Sequence, residues 1–217
     1  MGHAGMAAAA VRYLRSAGDP KAVGPVEPLP RPDLRAVGDD ERAPIDPAEF
    51  RRVLGNFASG VTVITAPATP TDAGPDDPAD PADLAGPAGF ACQSFASLSL
   101  DPPLIAFMVA RTSTTWPRIA RAGVFCVNVL GAHQGDLCRG FAVSGSDKFA
   151  GVAHDPAPVS GSPRLAGATA WMDCAIHAVH TGGDHLIVVG RVDALGTSDG
   201  DTDPLLFHRA RFGRFTG

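Results

Sequence analysis

The fold of this chain is decided by residues 89–109, GFACQSFASLSLDPPLIAFMV. Apolar residues recur on both sides of Pro102 and Pro103, and the two prolines interrupt the pattern where a rigid corner is expected. Short apolar runs bounded by breakers are typical of buried strands. The stretch therefore predicts two neighbouring strands joined at the proline corner.

A short amphipathic helix and a strand are predicted ahead of this stretch. Asp46 supplies an acceptor side chain at the helix start, Pro47 takes the first helical position and Glu49 the third. Apolar residues then fall at i, i+3, i+4 and i+7 and form one stripe: Phe50, Val53, Leu54 and Phe57. We expect Gly60 to end the helix and the β-branched residues 61–65 to follow as a strand.

Further short elements are predicted after residue 109. Helices are expected at 113–122 and 133–141, strands at 124–130, 170–180 and 186–192, and a turn at Gly182-Gly183-Asp184. About five or six short strands with three short helices predict a mainly β fold, a small barrel with short flanking helices. Regular βαβ alternation is missing, which argues against a doubly wound sheet.

Proline and glycine are concentrated outside these elements. Of 20 prolines in 217 residues, seven lie in 1–47 and six in 67–88. Residues 1–44 show no strand or helix period, and 67–88 hold five aspartates and no basic residue. We interpret 1–44 as a flexible N-terminal extension, 67–88 as an acidic, proline-rich loop insertion, and 45–217 as the domain.

Charge and cysteine usage exclude several classes of protein. The net charge is −5 and no basic run occurs, so nucleic-acid binding is not expected. No stretch approaches the roughly 20 apolar residues of a membrane helix, and the N-terminal residues make a poor export signal. The four cysteines form no metal or disulfide motif. We expect reduced, buried thiols and a cytoplasmic location.

Common catalytic motifs are absent, but three polar clusters interrupt the apolar strands. Residues 92–99 interleave one amide and several hydroxyls with apolar residues, which fits either a half-exposed strand or a wall that binds a planar heterocycle. Residues 111–115, RTSTT, fit either a solvated helix cap or an anion site. His185 follows the Gly-Gly-Asp turn, where a structural histidine is the simpler interpretation. His177 and His180 are spaced i, i+3 on a strand and cannot share a metal.

Six separated blocks, taken in order, resemble the flavin reductase-like family. They are GFACQSFASLSLDPPLIAFMV, RTSTTW, FCVNVL, DKFAG, GGDHLIVVGRV and PLLFHRARF. This family comprises the small NAD(P)H:flavin oxidoreductases of two-component flavin-dependent monooxygenases. The first block and GGDH are particularly similar to the reductases that serve actinobacterial secosteroid hydroxylases. The resemblance implies an FMN-binding split β-barrel, a homodimer, and a transient oxygenase partner reached by diffusible reduced flavin.

The resemblance also implies site residues. Gln93, Ser94, Phe95 and Ala96 would line the isoalloxazine ring, and Ser99 would approach the ribityl or phosphate portion. Arg111, Ser113, Thr114 and Thr115 would hold the phosphate, while Lys148 and Phe149 would close one side. His185 would lie near the nicotinamide, and Arg209 near the cofactor pocket. No metal is implied. Gln93 and His208 depart from the family's usual residues, which leaves FMN against FAD and NADH against NADPH open.

Two other functions share this barrel. A flavin-binding or flavin-sensing module without turnover would have no use for a nicotinamide contact, so the Gly183-Asp184-His185 motif favours the enzyme. A pyridoxamine-phosphate oxidase relative would need a cluster of basic residues for a second phosphate, and none is evident. A hydride-transferring reductase needs no catalytic acid–base pair, because the cofactors carry that chemistry.

Overall fold

The computed structural model describes residues 45–69, 86–143, 147–198 and 202–215. The predicted extension 1–44 and most of the predicted 67–88 loop lie outside the described residues. The described part contains three helices: α1 (Pro47–Leu54), α2 (Trp116–Ala122) and α3 (Gly135–Ala142). Its strands are β1 (Ser59–Gly60), β2 (Thr62–Ala66), β3 (Ala88–Cys92), β4 (Ala96–Leu100), β5 (Pro103–Ala110), β6 (Val124–Val129), β7 (His154–Pro156), β8 (Pro163–Leu165), β9 (Ala170–Gly182), β10 (His185–Thr197), β11 (Leu205–His208) and β12 (Arg211–Arg214).

Seven strands form one antiparallel sheet in the order β3-β2-β6-β9-β10-β5-β4. The prediction of a mainly β fold with short helices is confirmed. The sheet is open, however, because its edge strands β3 and β4 do not pair with each other. The strand pairing therefore does not confirm the barrel that the sequence predicts. Two smaller sheets, β1-β11-β12 and β7-β8, complete the described strands.

The core packs against both faces of β2, because one buried cluster contains Ile64 and Ala66 and a second contains Val63. Ile105, Phe107 and Val109 of β5 point inward at alternate positions and are buried. The Phe107 ring meets Phe125 and Trp116 edge-on, with ring centroids 5.3 and 6.3 Å apart. Such edge-to-face pairs add about 0.5–1.5 kcal/mol each beyond the area they bury. The opposite face of β5 keeps its smaller side chains partly accessible, and the site described below opens there.

The first helix begins as predicted but ends earlier. Asp46 accepts hydrogen bonds from the backbone N–H groups of Ala48 and Glu49, both at 3.2 Å, as a cap residue should. The helix ends at Leu54 rather than near Gly60. Asn56 explains the early end, because its amide nitrogen donates to two carbonyls of the last turn at 3.0 Å each. The prediction that Gly60 ends the helix is wrong.

The apolar stripe of α1 faces solvent. Phe50, Val53 and Leu54 are 53%, 52% and 53% exposed, and Phe57 is 81% exposed. No residue of the helix is buried. The predicted apolar stripe is therefore present, but it has no partner among the described residues.

The remaining predicted elements are present. The strand predicted at 61–65 is β2, and the turn between β9 and β10 holds Gly183 at φ +67°, a left-handed backbone that glycine favours. All four cysteines are free and buried, as expected. None of the helices in the described ranges is long and apolar enough to cross a membrane.

Candidate functional site

A cavity of about 500 Å³ opens beside the outer edge of β5, and we call it the central cavity. Its walls combine small and apolar side chains with a few polar groups at the ends of strands. The lining residues are Val61, Phe90, Ala91, Cys92, Gln93, Ser94, Met108, Val109, Ala110, Ser113, Cys138, Ala142, His185, Phe207 and Phe212. Four predicted site residues meet here: Gln93, Ser94, Ser113 and His185.

Ser94 joins two segments of the central cavity wall through hydrogen bonds. Its hydroxyl donates to the Met108 carbonyl and accepts from the Met108 N–H, both at 3.0 Å. Pairing of β4 with β5 reaches only Ala96 opposite Ala106, so the backbone groups of Met108 lack a strand partner on that side. The Ser94 side chain makes the hydrogen bonds that a paired strand would otherwise make. It thereby joins the segment between β3 and β4 to β5.

Gln93 lies next to Ser94 and is exposed. Its Oε1 is 3.5 Å from the Ser59 hydroxyl of β1, which can donate to it. The amide nitrogen of Gln93 makes no hydrogen bond within the described ranges. This nitrogen is therefore a donor available at the cavity wall.

His185 begins β10 and reaches the cavity from the other side. Its Nδ1 donates to Asp184 Oδ1 at 2.7 Å, because a carboxylate oxygen only accepts. This hydrogen bond lowers the pKa of Asp184 below its ordinary value. The Arg111 N–H donates to the Asp184 carbonyl at 3.0 Å, which ties the turn to the end of β5. The Asp184 carboxylate therefore contacts the imidazole, and the backbone of Asp184 is bonded to the segment that follows β5.

Residues 111–115 form the turn between β5 and α2. The Ser113 hydroxyl accepts from the Trp116 N–H at 3.1 Å, just before the helix, and Ser113 also lines the cavity. Arg111 and Thr114 are exposed and Thr115 is half-buried. None of these three lines the central cavity. The structure thus brings one of the four predicted phosphate-binding residues into the cavity wall.

The other predicted residues lie around the cavity rather than in its lining. Phe95 packs against the core, while Ala96 and Ser99 belong to β4. Phe149 meets the Phe141 ring edge-on at 5.1 Å. Lys148 Nζ donates to the carbonyls of Gly89 and Phe141, each at 3.2 Å. Burial, and to a lesser extent the charge of Arg118, lower the pKa of Lys148.

Arg209 lines a second cavity, which we call the hairpin cavity. It also measures about 500 Å³ and lies at the β11–β12 hairpin, lined by His208, Arg209, Arg211, Phe212 and Gly213. Both central residues of the hairpin turn, Arg209 and Ala210, have positive φ, +48° and +60°. Asn56 Oδ1 accepts from Arg209 Nε at 3.0 Å and from its NH2 group at 2.5 Å, so the guanidinium is held in place.

Three aromatic residues of the cavity wall, Phe90, Phe207 and Phe212, were not predicted as site residues from the sequence. Phe207 and Phe212 face each other across the β11–β12 pair, with ring centroids 5.5 Å apart. The alternation in LLFH and RFGR around a two-residue turn is the signal that could have placed both rings on one face. Cys138 and Ala142 of α3 carry no comparable signal, because only the packing of the helix brings them to the cavity.

Comparison with known proteins identifies the family to which the chain belongs. The chain belongs to the flavin reductase-like family, whose sequence model, described as a flavin reductase like domain, matches residues 54–216. The family resemblance expected from the six blocks is confirmed.

Particular relatives are similar over most of their length. The chain is 46% identical over 173 residues to HsaB, the reductase subunit of a flavin-dependent monooxygenase from Rhodococcus jostii, covering 80% of this chain and 78% of that protein. Nitrilotriacetate monooxygenase component B from Mycobacterium thermoresistibile superposes with a TM-score of 0.68 at 40% identity, covering 78% of this chain and 86% of that one. The NADH:FAD oxidoreductase of Streptomyces globisporus, in complex with NAD and FAD fragments, gives 0.67 at 34% identity, with 81% and 98% covered.

Proposed function

We propose that this chain is an NAD(P)H-dependent flavin reductase that supplies reduced FMN or FAD to a partner monooxygenase. The observation that carries the proposal is the central cavity, where an apolar pocket meets Gln93, Ser113 and His185. Family membership supports the same activity, and relatives named as monooxygenase reductase subunits support the oxygenase partner.

The central cavity fits a flavin ring in size and chemistry. Its volume of about 500 Å³ lies inside the range of about 300–1,000 Å³ typical of small-molecule sites. Small residues such as Ala91 and Ala110 let a flat ring approach the backbone, and Phe207 and Phe212 offer apolar contact area. The free amide of Gln93 can donate to a ring carbonyl. When bound, the flavin accepts two electrons from NAD(P)H and carries them to the oxygenase.

Each predicted site residue has a specific role in this proposal. Residues 93–96 line the ring, Ser99 approaches the ribityl chain, and residues 111 and 113–115 bind the phosphate. Lys148 and Phe149 support one side of the central cavity. Lys148 bonds the carbonyls of Gly89 and Phe141, and the Phe149 ring packs against the Phe141 ring. His185, held by Asp184, positions the nicotinamide against the ring. The apolar lining excludes water, and no side chain has to transfer a proton.

We also propose that two copies of the chain form a homodimer of split β-barrels, with the flavin site at their interface. The exposed apolar stripe of α1 supports a second copy as its partner, because Phe50, Val53, Leu54 and Phe57 together present an uncovered apolar face. Asn56, two residues beyond this helix, contacts Arg209 and so connects the stripe to the hairpin. Phe50→Asp should shift the oligomer to monomer in light-scattering measurements, whereas the exposed Arg51→Asp should not.

The proposal also covers the bounds of the active domain and the cellular compartment. We assign the activity to residues 45–217, which is supported by a family match that begins at residue 54. A variant without residues 1–44 should therefore keep full flavin reduction. The use of NAD(P)H and four free buried thiols support a cytoplasmic location.

The decisive experiment measures NADH and NADPH oxidation with FMN, FAD and riboflavin as acceptors. We expect rapid NADH oxidation only when free flavin is added. Flavin binding without oxidation of either nucleotide would support the non-catalytic flavin-binding module instead. Protein that neither binds flavin nor oxidises NADH or NADPH would overturn the proposal.

A further inference from the structure

Among the described residues, three sulfur-bearing side chains line the central cavity: Cys92, Cys138 and Met108. Both cysteines are buried, with 5% of each exposed, whereas Met108 is 40% exposed. Hydride transfer between the proposed cofactors uses none of these sulfur atoms. The cavity wall therefore carries one accessible thioether that the proposed function does not explain.

The geometry of β5 leaves the Met108 side chain uncovered. Phe107 points into the core, so the side chain of Met108 points to the opposite, accessible face of the strand. Ala106 and Ala110 flank it on that face, and their methyl groups are too small to cover a thioether. The N–H and the carbonyl of Met108 are both bonded to the Ser94 hydroxyl at 3.0 Å. The base of the side chain is therefore fixed at the cavity wall.

The three sulfur atoms differ in their reactivity toward peroxides. A cysteine is oxidised through its thiolate form. Burial raises the pKa of both Cys92 and Cys138, so their thiols stay protonated at neutral pH. A thioether has no proton to lose and reacts in its neutral form, so its exposure decides how fast it is oxidised. Met108 is therefore the sulfur of this cavity that a peroxide reaches and oxidises first.

We propose that Met108 is an oxidation site, and that its conversion to the sulfoxide reversibly lowers the affinity of the central cavity for flavin. This proposal rests on the proposed function, because oxygen that takes two electrons and two protons from reduced flavin leaves as hydrogen peroxide. The Met108 sulfur then bonds to one peroxide oxygen, the O–O bond breaks, and the other oxygen leaves as water. The sulfur loses two electrons and the peroxide gains them.

The sulfoxide changes the chemistry of the wall. It places a polar S–O group beside the methyl groups of Ala106 and Ala110, which offer no hydrogen-bond donor, where a flat ring needs apolar contact. We expect flavin binding to weaken about five- to tenfold. Methionine sulfoxide reductases reverse the change. The modification thus slows the enzyme when reduced flavin meets oxygen before it reaches the oxygenase.

The first test maps the oxidised residues of the wild type by peptide mass spectrometry after treatment with hydrogen peroxide. Met172 is the internal reference, because it packs against the core and lines neither cavity. We expect Met108 to be oxidised at least about fivefold faster than Met172. The same sulfoxide should form during NADH oxidation with FMN in air, and not in the same mixture without oxygen. Equal rates for the two methionines, or no sulfoxide after turnover in air, would overturn the proposal.

The second test compares Met108→Leu with Met172→Leu as the matched control. The dissociation constant for FMN is measured by quenching of flavin fluorescence before and after peroxide treatment, and each protein is compared with its own untreated sample. We expect the wild type and Met172→Leu to lose affinity about five- to tenfold and Met108→Leu less than about twofold. Methionine sulfoxide reductases with dithiothreitol should restore the wild type, whereas dithiothreitol alone should not.

Two further results would contradict the proposal while leaving the reductase activity intact. One is an equal loss of affinity in peroxide-treated Met108→Leu, and the other is full recovery with dithiothreitol alone, which reduces oxidised thiols. Either result would assign the effect to Cys92 or Cys138. A wild type that oxidises neither NADH nor NADPH with any flavin would instead refute the proposed function, and added peroxide would still show whether Met108 is the first sulfur oxidised.

Discussion

The two cavities of this protein each measure about 500 Å³ and share the ring of Phe212, yet they are lined by different kinds of side chain. The central cavity is built from several strands and one helix, and its polar lining residues are Gln93, Ser94, Ser113 and His185. The hairpin cavity is built from a single β-hairpin, and two arginines, Arg209 and Arg211, are among its lining residues. The difference shows that two cavities of one chain can acquire different linings, because one is formed by distant elements and the other by neighbours along the chain.

Filling the central cavity should have the largest effect. Ala110→Trp places an indole in the space that the flavin ring needs, so we expect flavin affinity to fall at least about 100-fold. Fluorescence quenching measures the affinity, and circular dichroism checks the fold. Ala120→Trp adds the same side chain to the exposed face of α2 and should bind flavin normally. Normal flavin binding by Ala110→Trp would place the ring elsewhere.

Removing His185 should affect the nicotinamide but not the flavin. We expect His185→Ala to lower kcat/KM for NADH about tenfold, because a positioning contact is lost, with flavin affinity nearly unchanged. Reduced nicotinamide mononucleotide, which lacks the adenylate half of NADH, should show the same loss, because it keeps the nicotinamide that His185 positions. His180→Ala, an exposed histidine outside both cavities, is the control. Unchanged NADH kinetics in His185→Ala would remove the main argument against a non-catalytic module.

Cutting the Ser94 contact should weaken the cavity wall itself. Ser94→Ala leaves the N–H and carbonyl of Met108 without their partner, and we expect a loss of about 1 kcal/mol in the free energy of unfolding. Urea denaturation measures the change. Ser97→Ala, on the neighbouring strand, is the matched control, because its hydroxyl makes no hydrogen bond within the described ranges. Equal stability of the two variants would show that Ser94 does not hold the wall.

The smallest expected effect is on stability and concerns Lys148, because its side-chain ammonium contacts backbone carbonyls instead of a ligand. Its folded-state pKa is lowered by burial, so the unfolded chain binds the proton more tightly. The stability of the wild type should therefore rise relative to Lys148→Met as the pH increases through the lowered pKa toward about 10. Thermal unfolding at a series of pH values measures this. A difference independent of pH would contradict it.

Much of the local structure could be predicted from the sequence. Asp46 caps α1, Gly183 makes the β9–β10 turn, and the alternating residues of β5 face the core, because each depends on neighbours a few positions away. Gly60 was the exception, since Asn56 closes the helix earlier through hydrogen bonds that a count of apolar residues does not register. The exposed stripe of α1 shows the same limit, because periodicity predicts a face but not its partner.

The candidate site could be predicted only in part. Gln93, Ser94, Ser113 and His185 were recognised by their resemblance to a family and lie together in the central cavity. Phe207 and Phe212 were missed, because their role depends on a C-terminal hairpin that packs against β1 and α3, far away in the chain. Ser94 was assigned to the ligand, yet its hydroxyl is used by Met108. Only the gap left by β4 accounts for that contact.

The sequence by itself therefore determined the class of the protein, its short strands and the residues that recur in its family. These features depend on local patterns and on shared ancestry, both of which are written along the chain. The tertiary structure alone decided the open order of the sheet, the walls of the central cavity and the place of the hairpin cavity next to it, with Phe212 lining both. The reason is physical: strand pairing and side-chain hydrogen bonds join residues more than 100 positions apart. Ser59 pairs with Phe207, and Arg209 bonds Asn56 across 153 residues.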